Sequence, residues 1–107
     1  MQTIYDRDAP SLIVDLDVME TKVVRLQNYC DQHHIGLRPH IKTHKNPAFA
    51  HQQMKLCAVG MACQKLSEAE IMVEVGLFDI MIPYNIVGPH KLECLAHWLI
   101  ARKSGVQ

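Results

Sequence analysis

Three side chains able to do chemistry recur at every second position of the segment L-R-P-H-I-K, residues 37–42. They are Arg38, His40 and Lys42. Residues two apart in a β-strand share one face, so the spacing predicts these side chains together, with Lys42 last. A lysine held in a partly dry site has a lowered pKa, and its neutral amine can attack an aldehyde and form a Schiff base. Taken alone, however, the spacing is explained better by an exposed strand edge.

The elements that would position this segment alternate between strands and helices. Apolar runs predict strands at residues 11–17, 37–42, 57–63 and 79–84. Caps and glycines predict helices from Asp17 to Gly36, from Asn46-Pro47 to Lys55, from Ser67 to Gly76, and from Gly88-Pro89 to a turn at residues 103–105. Such alternation indicates parallel βαβ units and therefore the α/β class.

The carboxyl ends of parallel strands meet at one rim, where barrel enzymes hold their active sites. No Gly-x-Gly-x-x-Gly follows any strand, which argues against a dinucleotide-binding fold and favours a (β/α)8 TIM barrel. A complete barrel needs about 250 residues. The 107 residues therefore predict only the first few β-α units, as one incomplete domain covering residues 1–107. Lys42 would lie on the rim of that barrel.

Other polar residues of the predicted rim are weaker candidates. Gln64 ends the third predicted strand and could contact a cofactor or substrate, or simply cap a loop with its amide. Tyr84 and Asn85 end the next strand, and only their position recommends them. His40 and His44 are four residues apart, a zinc-binding spacing on a helix but not on a strand and turn. No metal site is predicted in this chain.

Composition and charge exclude several classes of partner. Lys plus Arg and Asp plus Glu number 11 each, which leaves no basic surface to attract a nucleic acid. No apolar run reaches the roughly 20 residues of a membrane helix, and the first residues do not resemble a leader, so a cytoplasmic location is the default. Cys30, Cys57, Cys63 and Cys94 form no C-x-x-C pair and are predicted to be buried free thiols.

The whole string L-R-P-H-I-K-T-H-K, residues 37–45, resembles the cofactor-lysine motif of the D-threonine aldolase and D-serine dehydratase family. P-S-L-I-V-D-L-D-V-M-E resembles the family's opening strand and helix cap, V-G-M-A-C-Q-K-L-S-E-A-E its third-strand motif, and D-I-M-I-P-Y-N-I-V-G its next strand. These landmarks follow one another in order along nearly the whole chain, which we interpret as an N-terminal fragment of such an enzyme.

The resemblance implies an alanine-racemase-type barrel, a second and mostly β domain that this chain lacks, and pyridoxal 5'-phosphate as cofactor. Lys42 falls on the family's Schiff-base lysine, while Lys45 lies beyond the strand and faces a loop. Arg38, His40 and Gln64 are expected beside the cofactor. Residues 11–16 would pair with the β domain. A divalent metal (Mn, Mg or Zn) and the phosphate-binding groups are expected outside this chain.

The activity implied is that of a pyridoxal-phosphate-dependent lyase acting on small β-hydroxy D-amino acids. We expect D-threonine aldolase-like cleavage to glycine and an aldehyde, with D-serine dehydratase-like elimination as the alternative. The 107 residues alone are expected to be inactive. A non-catalytic carrier of pyridoxal phosphate and a misassembled remnant with exposed strand edges are further alternatives. A homodimer is left open.

Overall fold

The structure, a computed structural model, describes residues 1–103 as an α/β chain with a small parallel sheet. Helices α1 to α4 are Leu16–Gln32, Pro47–Lys55, Leu66–Glu74 and Pro89–Lys103. Strands β1 and β2 are Met61–Ala62 and Ile80–Met81, and 3-10 turns cover Ile4–Asp6 and Ile41–Thr43. The predicted α/β class is confirmed. The turn predicted near residues 104 and 105 lies outside the described residues.

Three parallel segments lie side by side, with β1 in the middle. On one side β1 pairs with β2 in the register that places Met61 opposite Ile80. On the other side His40 forms a parallel bridge with Ala62, whose amide donates to the carbonyl of Pro39 at 2.8 Å. The chain order of these segments, with one helix between each pair, is the order that the hydrophobic pattern predicts.

The strand predicted at residues 11–17 is wrong. Residues 11–15 are irregular and exposed, and α1 already begins at Leu16. An alternating apolar segment becomes a strand only where a neighbour accepts its hydrogen bonds, and among residues 1–103 no segment pairs with this one. The other predicted strands occupy their predicted places, but each has ladder pairing over only one or two residues.

The helix boundaries partly follow the predicted caps. The carboxylate of Asp15, rather than that of Asp17, accepts the amide N–H of Val18 at 3.0 Å and begins α1. The chain leaves α1 through His34, at a φ of 55°, rather than through Gly36. The predicted start of α2 is confirmed, since the Asn46 side chain accepts the amide of the residue after Pro47 at 2.9 Å.

The core joins the sheet to α2 and α3. Its buried members come from all of these elements: Ile41, Ala50, Ala58, Met61, Cys63, Ala69, Met72 and Leu77. The predicted burial of residues 57–63 is confirmed for Ala58 and for residues 60–63 but wrong for Cys57 and Val59, which are exposed. All four cysteines are free thiols, but only Cys30 and Cys63 are buried as predicted, since Cys57 is exposed and Cys94 is half-buried. None of the described helices combines the length and apolar character that crossing a bilayer requires.

Candidate active site

Lys42 lies just past the first parallel segment, at the carboxyl-terminal edge of the sheet. His40 makes the last pairing contact, its bridge to Ala62, and the chain then enters the 3-10 turn Ile41–Thr43. Ile41 is fully buried and anchors this turn in the core, whereas Lys42 is exposed. The prediction that the strand continues to Lys42 is therefore wrong by two residues. Because the Lys42 side chain is exposed, a small molecule can still reach its amine.

The ring of His40 holds the backbone of Lys42. Its Nδ1 accepts the amide N–H of Lys42 at 3.2 Å, and because Nδ1 is an acceptor, the neutral ring carries its proton on Nε2. Nε2 is buried and has no hydrogen-bond partner among the described residues. A buried donor without a partner costs about 1–3 kcal/mol. A polar group bound beside Lys42 could therefore accept this hydrogen bond.

His44 repeats the same arrangement on the other side of Lys42. Its Nδ1 accepts the amide N–H of Asn46 at 2.9 Å, and its Nε2 lies 3.3 Å from the side-chain oxygen of Gln53. Both contacts fit a neutral ring that carries its proton on Nε2. Burial lowers the pKa of His44, and the hydrogen bond to Gln53 opposes this shift only in part.

Protonation of His44 is expected to destabilise the fold as the pH falls through its usual range. The folded pKa is lowered, so the unfolded chain takes up a proton first, and stability present above pH ~6.5 is lost progressively below it. Urea unfolding at pH 7.5 and at pH 5.5 measures this loss. In the His44→Gln variant, which does not titrate, the loss should be smaller, while the exposed His90→Gln control should match the parent.

Arg38 lies at the opposite end of the sheet from Lys42. Its guanidinium pairs with a carboxylate oxygen of Asp79 at 2.9 Å and donates to the carbonyls of Asp79 and Met61 at 3.1 and 3.4 Å. Gly60 leaves the space for it, because a Cβ there would lie 2.2 Å from Nη1. The structure therefore brings His40 and Lys42 together but not Arg38, whose contacts favour a role in holding the three segments together.

A buried carboxylate, Glu68, joins the loops that follow the first two parallel segments. It accepts the amide N–H of Gln64 at 2.8 Å and pairs with the amine of Lys45 at 3.2 Å. Burial alone would raise its pKa, but the bonds from Gln64 and Lys45, with the charges of Lys45 and Lys65, lower the pKa below its usual value. Sequence reasoning missed Glu68, because the string S-E-A-E indicates only where a helix begins.

The remaining edge residues are mostly exposed. This holds for the side chains of Gln64, Tyr84 and Asn85, which the sequence placed on the rim. Cys63, by contrast, is fully buried, and burial together with the charge of Glu68 raises its pKa to about 11. It is a neutral thiol at pH 7 and a poor nucleophile. Within residues 1–103, no group of three or more His, Cys, Asp or Glu side chains could hold a metal.

Known enzymes are similar in sequence to most of this chain. No family model matches the chain. The D-threonine aldolase of Arthrobacter sp is 46% identical over 88 residues, which are 82% of this chain and 23% of that enzyme. The D-threo-3-hydroxyaspartate dehydratase of Delftia sp. (strain HT23) is 34% identical over 90 residues, 84% of this chain and 23% of that enzyme. Over most of its own length, the chain is therefore similar to about a quarter of a D-threonine aldolase and of a D-threo-3-hydroxyaspartate dehydratase.

Solved structures of a D-threonine aldolase and of a D-threo-3-hydroxyaspartate dehydratase match as well. The D-threonine aldolase from Filomicrobium marinum is 47% identical with a TM-score of 0.84, over 88% of this chain and 25% of that one. The Delftia dehydratase is 32% identical with a TM-score of 0.84, over 99% of this chain and 27% of that one. The chain thus spans about a quarter of these relatives. Because an aldolase and a dehydratase match equally in fold, the fold does not separate their reactions.

Proposed function

We propose that this chain is the cofactor-lysine segment of a pyridoxal-phosphate-dependent lyase acting on small β-hydroxy D-amino acids. The observation that carries the proposal is an exposed Lys42 at the carboxyl-terminal edge of a parallel sheet, in a chain 46% identical to a D-threonine aldolase. Identity to the dehydratase is lower, 34%. The reaction proposed is therefore retro-aldol cleavage to glycine and an aldehyde, with elimination as the second candidate.

We infer that the three parallel segments are the first units of a (β/α)8 barrel of the alanine-racemase N-terminal type. Their parallel order, with a helix after each segment, supports this inference. Residues 1–107 would then be an incomplete barrel domain. The apolar side chains of Leu12, Ile13 and Val14 are exposed, which supports pairing of this stretch with the β domain of the complete enzyme.

The residues at the sheet edge are suited to hold the aldehyde group of pyridoxal phosphate. When bound, this cofactor withdraws electrons from the α-carbon of an amino acid. Lys42 would supply the amine that holds it, and the His40 ring fixes the Lys42 backbone, while its unpartnered Nε2–H would be available to donate to the bound molecule. The side-chain amide of Gln64, which is exposed, would be a further contact. Arg38 does not lie beside Lys42, and its proposed role is to hold the parallel segments in register through its ion pair with Asp79.

The rest of the active site is proposed to lie elsewhere. A mutant of D-threo-3-hydroxyaspartate dehydratase has been solved in a metal-free form, which supports a divalent metal in such enzymes, and residues 1–103 contain no cluster that could hold one. We therefore propose that the metal ligands and the phosphate-binding groups belong to other parts of the enzyme, and that this chain alone is inactive. A cytoplasmic location and a homodimer are also proposed, testable by fractionation and light scattering.

The experiment that tests the proposed function is an exchange of segments. The aligned quarter of the Arthrobacter D-threonine aldolase is replaced by this chain, and a second chimera is made with the Delftia dehydratase. We expect the aldolase chimera to cleave D-threonine to glycine and acetaldehyde at a rate within about tenfold of its parent, a barrier change of about 1.4 kcal/mol. The dehydratase chimera, with fewer matching residues, should lose more activity.

Two control measurements show whether any activity of the chimeras depends on Lys42 and which reaction is favoured. Lys42→Ala in the aldolase chimera should abolish cleavage, and a folded aldolase chimera without activity would contradict the proposal. A dehydratase chimera that retains the larger share of its parent's activity would favour elimination over cleavage.

A further inference from the structure

Lys45, the second lysine of the 37–45 string, has its amine already engaged. Its backbone has a φ of 49°, and its amide donates to the carbonyl of Ile41 at 2.7 Å, which closes the turn that carries Lys42. The Lys45 side chain is 55% exposed, yet its amine lies 3.2 Å from the carboxylate of Glu68. Lys42 makes no comparable ion pair among the described residues.

Glu68 uses both of its oxygens to join two loops. Oε1 pairs with Lys45 on the loop after the first parallel segment, and Oε2 accepts the amide of Gln64 on the loop after β1. The Glu68 side chain is only 7% exposed, so these contacts satisfy a charge that is held out of water. A single carboxylate thus fixes the relative position of the two loops at the edge where Lys42 lies.

We propose that Glu68 is a positioning residue, which fixes the turn that carries Lys42 and withholds the amine of Lys45 from the aldehyde of pyridoxal phosphate. The proposal rests on the proposed function. Attachment joins an amine nitrogen to the aldehyde carbon, and the aldehyde oxygen leaves as water with two protons. The attacking nitrogen needs a free electron pair, which an ammonium held by a carboxylate does not have. Glu68 therefore selects between two lysines that are three residues apart.

The test is the distribution of reduced cofactor among the lysines of this chain. The chain is incubated with pyridoxal phosphate, reduced with borohydride and mapped by peptide mass spectrometry, as parent, Glu68→Gln, Lys45→Ala and Lys45→Arg. Glu74→Gln is the matched control, because Glu74 is an exposed glutamate on the same helix. Glutamine at position 68 can still accept the amide of Gln64 but releases Lys45.

In Glu68→Gln we expect the ratio of label on Lys45 to label on Lys42 to rise about tenfold, the effect of losing one charge-assisted contact. Label on Lys55 and Lys91 should not change. Lys45→Ala should slow attachment at Lys42 although the competing lysine three residues away is removed, and Lys45→Arg, which keeps the ion pair, should restore it. Glu74→Gln should match the parent.

Two outcomes overturn the proposal. One is an unchanged distribution in Glu68→Gln. The other is a parallel rise at every lysine, Lys55 and Lys91 included, which would show that Glu68 only stabilises the fold. A parent chain that carries no label on Lys42 would instead contradict the proposed function itself, so the two failures are distinguishable.

Discussion

Replacing Lys42 with alanine is expected to reduce covalent attachment of pyridoxal phosphate at the sheet edge to the background of other exposed lysines, a drop of at least about tenfold. Lys42 is exposed beyond the last pairing contact of its segment, and the turn that carries it is held by His40 and by buried Ile41. Lys45, the other lysine of the 37–45 string, has its amine paired with Glu68. Borohydride reduction followed by peptide mapping measures the loss.

Two further variants test whether attachment depends on the amine of Lys42 rather than on its positive charge, and whether it depends on the neighbouring Lys45. Lys42→Arg keeps the positive charge but has no amine that can be deprotonated near neutral pH, so attachment should fail as it does in alanine. Lys45→Arg keeps the ion pair with Glu68 and should leave attachment at Lys42 intact. The Lys42 assignment would be wrong if the parent carried its label mainly on Lys45. It would also be wrong if the Lys42→Ala variant carried as much total label as the parent.

The helices could be predicted from sequence because their signals are local. Asn46 and Pro47 mark the start of α2, and the structure shows the expected side-chain cap at 2.9 Å. Gly76 follows α3 at a φ of 90°, a conformation for which glycine is suited. The cap of α1 was misplaced because Asp15 and Asp17 both precede apolar helical positions, and composition alone cannot rank two carboxylates that are two residues apart.

The strands and the site depend on partners that lie far away in sequence. Residues 11–15 alternate like a strand but have no partner within residues 1–103, so the pattern fails there. The strand predicted to reach Lys42 ends at His40, because the His40 ring takes the amide that a strand would have used. Glu68 was missed because its partner Lys45 is 23 residues away, beyond the reach of helical periodicity.

Gly60 explains why three segments can approach so closely at the end of the sheet away from Lys42. A Cβ at position 60 would lie 2.2 Å from Nη1 of Arg38 and 2.6 Å from the carbonyl oxygen of Asp79. Real Cβ contacts are not that short, so Gly60→Ala must displace the guanidinium from Asp79 and push two backbones apart. Because Arg38 pairs with Asp79 and Lys42 follows Arg38 in the same segment, a disturbance here also reaches the proposed catalytic edge.

We expect Gly60→Ala to destabilise the fold by about 1–3 kcal/mol, as overpacking of a close contact does. In a chain of this size each kcal/mol lowers the melting temperature by roughly 4–8 °C. Urea unfolding and thermal unfolding followed by circular dichroism measure the effect.

Gly36→Ala is the matched control, because its Cβ would lie 3.0 Å from a methyl group of Val59, a side chain that is 46% exposed and can move aside. Adding Arg38→Ala to Gly60→Ala should not restore stability, since the carbonyl of Asp79 remains in the way and the ion pair is lost. If Gly60→Ala and Gly36→Ala were equally stable, the three segments would not be packed as closely as the contacts of Arg38 and Gly60 indicate. Lys42 would then lack the fixed sheet edge on which its proposed role depends.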